Sequence, residues 1–242
     1  MVNLFQTYHN SSVQECSALN KSTDMMISFG EQHTGITDHL LLEHVSNASC
    51  SKPVHIGTYL LSYEYWFQIK DTIRNEFTCN DEHVNKSHSV LQSILANNSL
   101  LNLNPRATII GIHARRGDFT YLPDRIPAKE DYLDRATDYF RTRLNQHKLI
   151  FIVVGNDFEW NQGYAANRTD VFTAESQNSA GVDFCLLVQC DGMIMTSGTY
   201  GWWASFLSGG PVIYRKNQVQ GSLLKNYNFD YSEFMFPHWI GL

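Results

Sequence analysis

The spacing of apolar residues changes along this chain. Over residues 1–57 they are sparse among Ser, Asn and His, and only "DHLLLEHV" (38–45) predicts a helix. From residue 60 the pattern sharpens. Leu61, Tyr65, Ile69, Ile73 and Phe77 recur at every fourth position, which predicts an amphipathic helix of about five turns. A second helix is predicted over 83–96, with Val84, Val90, Leu91, Ile94 and Leu95 turned inward, and Asn104-Pro105 closes a loop.

Beyond that loop, strand and helix signals alternate. "ATIIGIHA" (107–114) and "KLIFIVVGN" (148–156) are unbroken apolar runs, as expected of strands covered on both faces. "DVFTA" (170–174), "GMIMT" (192–196) and "PVIYR" (211–215) read as further strands. Helices are predicted over 131–146, 182–190 and 199–208, the last with Trp202, Trp203, Phe206 and Leu207 as core residues. Alternation of this kind predicts an α/β fold with a doubly wound parallel sheet over 105–242, preceded by a short, mainly helical portion over 1–104.

Composition narrows the function. Of 242 residues 43% are hydrophobic and 17% charged, which is globular composition, and the formal charge of −6 argues against a nucleic-acid partner. Any anion site is therefore local. The five cysteines show no C-x-x-C spacing, so structural zinc is not expected. Cys185 and Cys190 read as small core residues of one helix, and the odd count leaves a thiol over. Asn10, Asn20, Asn47, Asn85, Asn97 and Asn167 each open an N-x-S/T sequon, an excess that leans towards the secretory lumen. No run approaches the ~20 apolar residues of a membrane helix, and "MVNLFQTYHNSSVQ" has no signal-peptide pattern.

The chemistry gathers where strands end. In an open parallel sheet, ligands bind beyond the carboxyl ends of the strands. "GIHARRGDF" (111–119) puts His113, Arg115 and Arg116 there, joined by "GNDFEW" (155–160), "TAES" (173–176) and "TSGTYG" (196–201). Thr196, Ser197, Gly198 and Thr199 lie between a buried strand and a helix, where free N–H groups make an anion site. An arginine on the neighbouring strand end adds a planar, two-pronged donor for the same anion. Neither a G-x-G-x-x-G nor a P-loop lysine is present, and no D-x-D stretch offers metal ligands. These residues suggest a nucleotide-sugar whose diphosphate leaves, with arginine in place of a metal. Arg116-Gly117-Asp118 also spells an adhesion tripeptide, but it adjoins a buried strand, whereas adhesion needs an exposed, flexible loop.

"GIHARRGDF", "GNDFEW", "DFCLLVQCDGMIMTSGTYGWWASFLSGG" and "FPHWIGL" resemble the α-1,2-fucosyltransferases of glycosyltransferase family 11, from about residue 60 to the C-terminus. The resemblance implies the Rossmann-like donor half of a GT-B-like enzyme over 105–242. It implies inverting transfer of fucose from GDP-fucose to the 2-hydroxyl of a galactose-terminated glycan, in the Golgi lumen. No cofactor is implied, GDP-fucose being a substrate. By position, Arg115 becomes the β-phosphate ligand, with His113 and Arg116 supporting the pocket. Asp183 sits where related enzymes bind guanine, whose N1–H and N2–H a carboxylate can accept. Thr196, Ser197, Gly198, Thr199 and Gly201 would line the diphosphate. Asp118 is either the general base or a salt bridge orienting Arg116; His113 is a catalyst or a packed ring; Asp183 is a guanine ligand or a helix N-terminal carboxylate. Family members begin with a membrane anchor and a domain carrying G-R-L-G-N-Q. Neither is visible here, so 1–104 is expected to be a curtailed acceptor side. The alternative reading is an inactive, GDP-sugar-binding remnant that acts as an interaction or folding partner.

Overall fold

The structure, a computed structural model, describes residues 27–29, 54–56, 62–98, 107–144, 148–174, 177–218, 220 and 231–242. The helix expected at 38–45 lies outside them, as do Glu175 and Ser176 of the "TAES" loop. The described residues part into two compact units: 77–220 with 238–242, and those before 77 with 231–237.

The larger unit is built on six parallel strands. In chain order they are Thr108–Ala114 (β3), Leu149–Gly155 (β4), Val171–Thr173 (β5), Gly192–Met195 (β6), Val212–Tyr214 (β7) and Ile240–Gly241 (β8). Their order across the sheet is β5-β4-β3-β6-β7-β8, every neighbouring pair parallel. The order reverses between β3 and β6, the switch point at which ligands bind in doubly wound sheets. Register aligns His113 with Val154 on one side and with Met195 on the other, so three strand ends meet there.

The apolar runs become strands because both faces are covered. Ile110, Ile112 and Ala114 join Phe151, Val153, Ile194 and Ile213 in one cluster, packed by Tyr132, Leu133, Ala136 and Phe140 of the helix Glu130–Arg143 (α4). Each fully buried Ile or Leu contributes roughly 1.5–3 kcal/mol. Tyr132 sends its hydroxyl to the Met195 carbonyl at 2.9 Å, satisfying a polar group inside that core. Against the opposite face stand Ala180–Val188 (α6) and Thr199–Ser208 (α7). Trp202 and Phe206 are buried as expected, whereas Trp203 and Leu207 are half-buried.

Asp81–Asn97 (α3) packs on α6 in this larger unit, although the sequence pattern groups it with the portion ending at 104. Asn80 caps it, its side chain accepting from the His83 N–H at 2.9 Å. A disulfide between Cys79 and Cys185 ties the start of α3 to the middle of α6. Cys185 is thus not the free core thiol expected; Cys190 is free and buried.

In the smaller unit, the long helix expected over 60–77 is two short ones, Glu64–Phe67 (α1) and Lys70–Glu76 (α2). Tyr65 and Ile73 are buried, while Ile69 is 48% exposed at the break. Two short strands, Ile27–Phe29 (β1) and Val54–Ile56 (β2), pair in parallel, and Tyr231–Phe234 (α8) contributes a single turn. One helix of the larger unit was not foreseen: Phe158–Ala166 (α5), capped by Asp157, whose side chain accepts from Trp160 N–H.

Candidate active site

At the end of β3 two consecutive backbone N–H groups are each held by a side chain from a neighbouring strand end. The Arg115 N–H donates to Thr196 Oγ1 at 2.9 Å, and that hydroxyl donates to the His113 carbonyl at 3.1 Å. The Arg116 N–H donates to Asn156 Oδ1 at 3.0 Å. The turn out of β3 is therefore fixed from β6 on one side and β4 on the other. Thr196 is wholly buried, so its hydroxyl clips strands together.

The two arginines diverge. The Arg115 guanidinium lies over the Phe119 ring, 4.7 Å from its centre, and pairs with Asp118 at 2.5 Å. Arg116 turns away: its Nε donates to Asp157 at 3.0 Å, its Nη1 to the Ala128 carbonyl at 2.6 Å, and it stacks on Trp160. The Asp118 salt bridge thus runs to Arg115, not to Arg116 as one reading of the sequence had it. Arg116, with its guanidinium engaged on three sides, holds the strand-end loops and is no free adhesion signal.

Beside Arg115 the helix α7 begins without a side-chain cap. Its N-cap is Gly198, at φ +88°, a conformation that L side chains rarely adopt, and a β-carbon there would meet nothing within 4 Å. By contrast Asn80, Asp157 and Ser179 cap α3, α5 and α6 with their side chains. The first N–H groups of α7 thus receive no side-chain cap, and the positive end of the helix dipole lies at this turn. Ser197, 2% exposed, has a buried hydroxyl with no hydrogen-bond partner among the described residues.

His113 supports this first turn from beneath. Its ring lies tilted against Tyr200, the centroids 5.1 Å apart, and a β-carbon at Gly201 would collide with its Nδ1, so glycine is required there. Burial, helped by the Arg115 charge, lowers the imidazole pKa to about 4, and Nδ1 has no hydrogen-bond partner among the described residues. The ring is neutral at physiological pH.

Tyr200, a residue the sequence reading passed over, links this loop to Asp183. Its hydroxyl donates to the Ala180 carbonyl at 2.7 Å and its ring meets Phe184 edge-on at 5.1 Å. Asp183, in the first turn of α6, accepts from Asn178 Nδ2 at 2.9 Å. Burial raises its carboxyl to about 6, against a smaller lowering by the Asn178 bond. The same burial, with Asp183 adding to it, lifts the Tyr200 phenol well above its ordinary range. Asn156 and Tyr200 were hidden because their contacts are long-range; only their places beside the quoted strand ends hinted at a role. Of the sequon asparagines, Asn85, Asn97 and Asn167 are exposed, and Asn10, Asn20 and Asn47 lie outside the described residues.

Residues 41–242 match the family model described as glycosyl transferase family 11. This chain belongs to that family. It is 34% identical over 197 residues to galactoside alpha-(1,2)-fucosyltransferase 1 of Saimiri boliviensis boliviensis, covering 75% of this chain and 50% of the relative. It is 31% identical over 205 residues to galactoside alpha-(1,2)-fucosyltransferase 2 of Rattus norvegicus, covering 78% of this chain and 53% of the relative. The chain spans about half the length of the curated relatives it matches. Among solved structures, an alpha-1,6-fucosyltransferase, NodZ, co-crystallised with GDP, is similar with a TM-score of 0.46 and 14% identity, over 75% of this chain and 60% of that one.

Proposed function

We propose that this family 11 chain binds GDP-fucose at the β3/β6 switch point and transfers fucose to the 2-hydroxyl of a terminal galactoside. One observation carries the reading: the Arg115 backbone and the uncapped start of α7 are joined through a single hydroxyl, Thr196 Oγ1. An arginine and an uncapped helix N-terminus brought to one strand end suit a diphosphate.

In this reading the bond from fucose C1 to the β-phosphate oxygen breaks, and its electron pair leaves on GDP. Arg115 and the α7 N-terminus stabilise that charge, doing electrostatically what a divalent cation does elsewhere. The galactose 2-oxygen attacks C1 from the opposite face, inverting it, and its proton passes to a base, for which Asp118 is the carboxylate beside Arg115. Asp183 takes guanine N1–H and N2–H. Ser197, Gly198, Thr199 and Gly201 face or shape the diphosphate. His113 supports the loop as a neutral ring, and Thr196 and Arg116 hold the strand ends. The relatives' printed names support the acceptor class. A disulfide among the described residues and the sequons support an oxidising lumen, as in the Golgi. No described helix is long and apolar enough to cross a membrane.

Calorimetric titration with GDP and GDP-fucose, with UDP and ADP as controls, tests the donor site. Saturable binding of the guanine nucleotides alone is expected; equal binding of all four, or of none, would overturn the reading.

A further inference from the structure

The segment that leaves β3 after Arg115 comes straight back to it. From Arg116 to Pro127 the chain makes a loop whose end is closed by the Ala128 N–H donating to the Arg115 carbonyl at 2.8 Å. Compact surface loops with joined ends are often functional. This one is held along its return: Gln220 donates its N–H to the Asp124 carbonyl at 3.1 Å and its Nε2 to the Pro123 carbonyl at 2.8 Å, and Arg215 Nη1 reaches the Pro127 carbonyl at 2.7 Å. Its one turn of 3-10 helix, Gly117–Thr120, carries Asp118 and Phe119.

The closed loop brings a second arginine to the ring on which the first lies. The guanidinium carbons of Arg115 and Arg125 lie 4.7 and 5.4 Å from the centre of the same Phe119 ring. Two like charges share one ring, and only one has a carboxylate: Asp118 pairs with Arg115, whereas Arg125 has no acidic partner among the described residues. Two other arginines of the unit are matched bidentately, Arg141 by Asp170 and Arg168 by Asp134. Arg143, like Arg125, has a ring contact but no acidic partner among the described residues, and it lies away from the strand ends. In a chain of net charge −6, an unmatched guanidinium held on the same ring as an ion-paired one needs a reason. A diphosphate ester carries more negative charge than one guanidinium already engaged by Asp118 can neutralise.

We infer that Arg125 is a second guanidinium ligand of the donor's diphosphate, contacting the β-phosphate alongside Arg115. The inference rests on reading the switch point as a nucleoside-diphosphate site and adds a residue to it that no motif carries. Phe119 acts as the platform that keeps the two cations near one anion when the site is empty, through its negative ring face.

The test is calorimetry of the whole chain with GDP and with GMP, which lacks the β-phosphate. Arg125→Ala should weaken GDP about tenfold or more and GMP by less than about twofold. Arg125→Lys should recover little, since an ammonium lacks the two-pronged fork. Phe119→Leu, which keeps the cation and removes the platform, should weaken GDP by a smaller factor. The side chain of Arg125 has no described hydrogen bond, so the thermal midpoint of Arg125→Ala should match wild type and show that the variant folds. Unchanged GDP affinity in Arg125→Ala, or equal losses for GDP and GMP, would overturn this inference alone. Wild-type protein that binds neither nucleotide would overturn the donor-site reading and this inference with it.

Discussion

The backbone N–H of Arg115 donates to the hydroxyl of Thr196 at 2.9 Å, across the point where the strand order reverses. That hydroxyl in turn donates to the His113 carbonyl, so one side chain closes a ring between the ends of β3 and β6. Thr196→Val removes both bonds while keeping the shape, leaving a part-buried N–H unsatisfied at a cost of about 1 kcal/mol. A melting point below wild type is expected, with weaker GDP binding because Arg115 loses its anchor. Thr196→Ser, which restores the hydroxyl, should recover most of both. A valine variant that binds GDP like wild type would remove Thr196 from the site's architecture.

Arg115→Lys addresses the side chain itself. Lysine keeps the charge but offers a point donor where a planar fork meets a phosphate. Transfer should fall by orders of magnitude, with GDP affinity reduced as well. The same assay repeated in EDTA should lose nothing if arginine supplies the positive charge. Near-wild-type turnover in Arg115→Lys, or strict dependence on an added divalent cation, would contradict the assigned role.

The parts of this fold that the sequence disclosed are those whose residues encode them locally. β3 and β4 are unbroken apolar runs because both their faces are covered, and α7 begins and ends where "SGT" and Gly209 put it. The helix over 60–77 misled for a geometric reason. A strict step of four advances about 40° round a helix of 3.6 residues per turn, so Leu61 and Phe77 could not share a face. α5 has no clear stripe; Asp157 caps it locally, and its buried anchor Tyr164 acts through Asp134, 30 residues away. The site divides the same way. Arg115 and the 196–201 loop were legible because strand ends gather at one edge of a parallel sheet. The partners of Arg116 and the Tyr200–Ala180 bond are tertiary, and nothing in their spacing announces them.

The disulfide is one such tertiary feature with a measurable consequence. Cys79 and Cys185 are 106 residues apart, and closing so long a loop stabilises by roughly 2–5 kcal/mol, chiefly by restricting the unfolded chain. Cys185 lies one turn into α6, two residues past Asp183. Cys79→Ser should therefore lower the thermal midpoint and also weaken GDP, because the helix start that presents Asp183 loses its tether. Calorimetry with and without a reductant checks both. Wild-type and Cys79→Ser proteins that melt together under oxidising conditions would show that the bond does not form in solution.

If Asp183 holds guanine as proposed, GDP binding depends on pH in a definite sense. Guanine offers two N–H donors, so only the ionised carboxylate satisfies both. With burial holding the empty-site carboxyl at about 6, that form dominates above pH 6 and is lost below it. GDP affinity should be level above about pH 7 and fall below pH 6, approaching tenfold per pH unit for a single proton. Binding near pH 6 should also release a proton, visible as a binding heat that changes with the buffer's ionisation enthalpy. The unliganded protein responds the other way. A carboxyl raised from 3.8 to about 6 binds more protons folded than unfolded between those values, so this group favours the empty fold as pH falls through that window. Asp183→Asn should flatten the affinity profile at a weak level, since the amide sets a donor against a donor. A wild-type profile flat from pH 5 to 8 would remove Asp183 from base recognition while leaving the diphosphate contacts to be judged on their own.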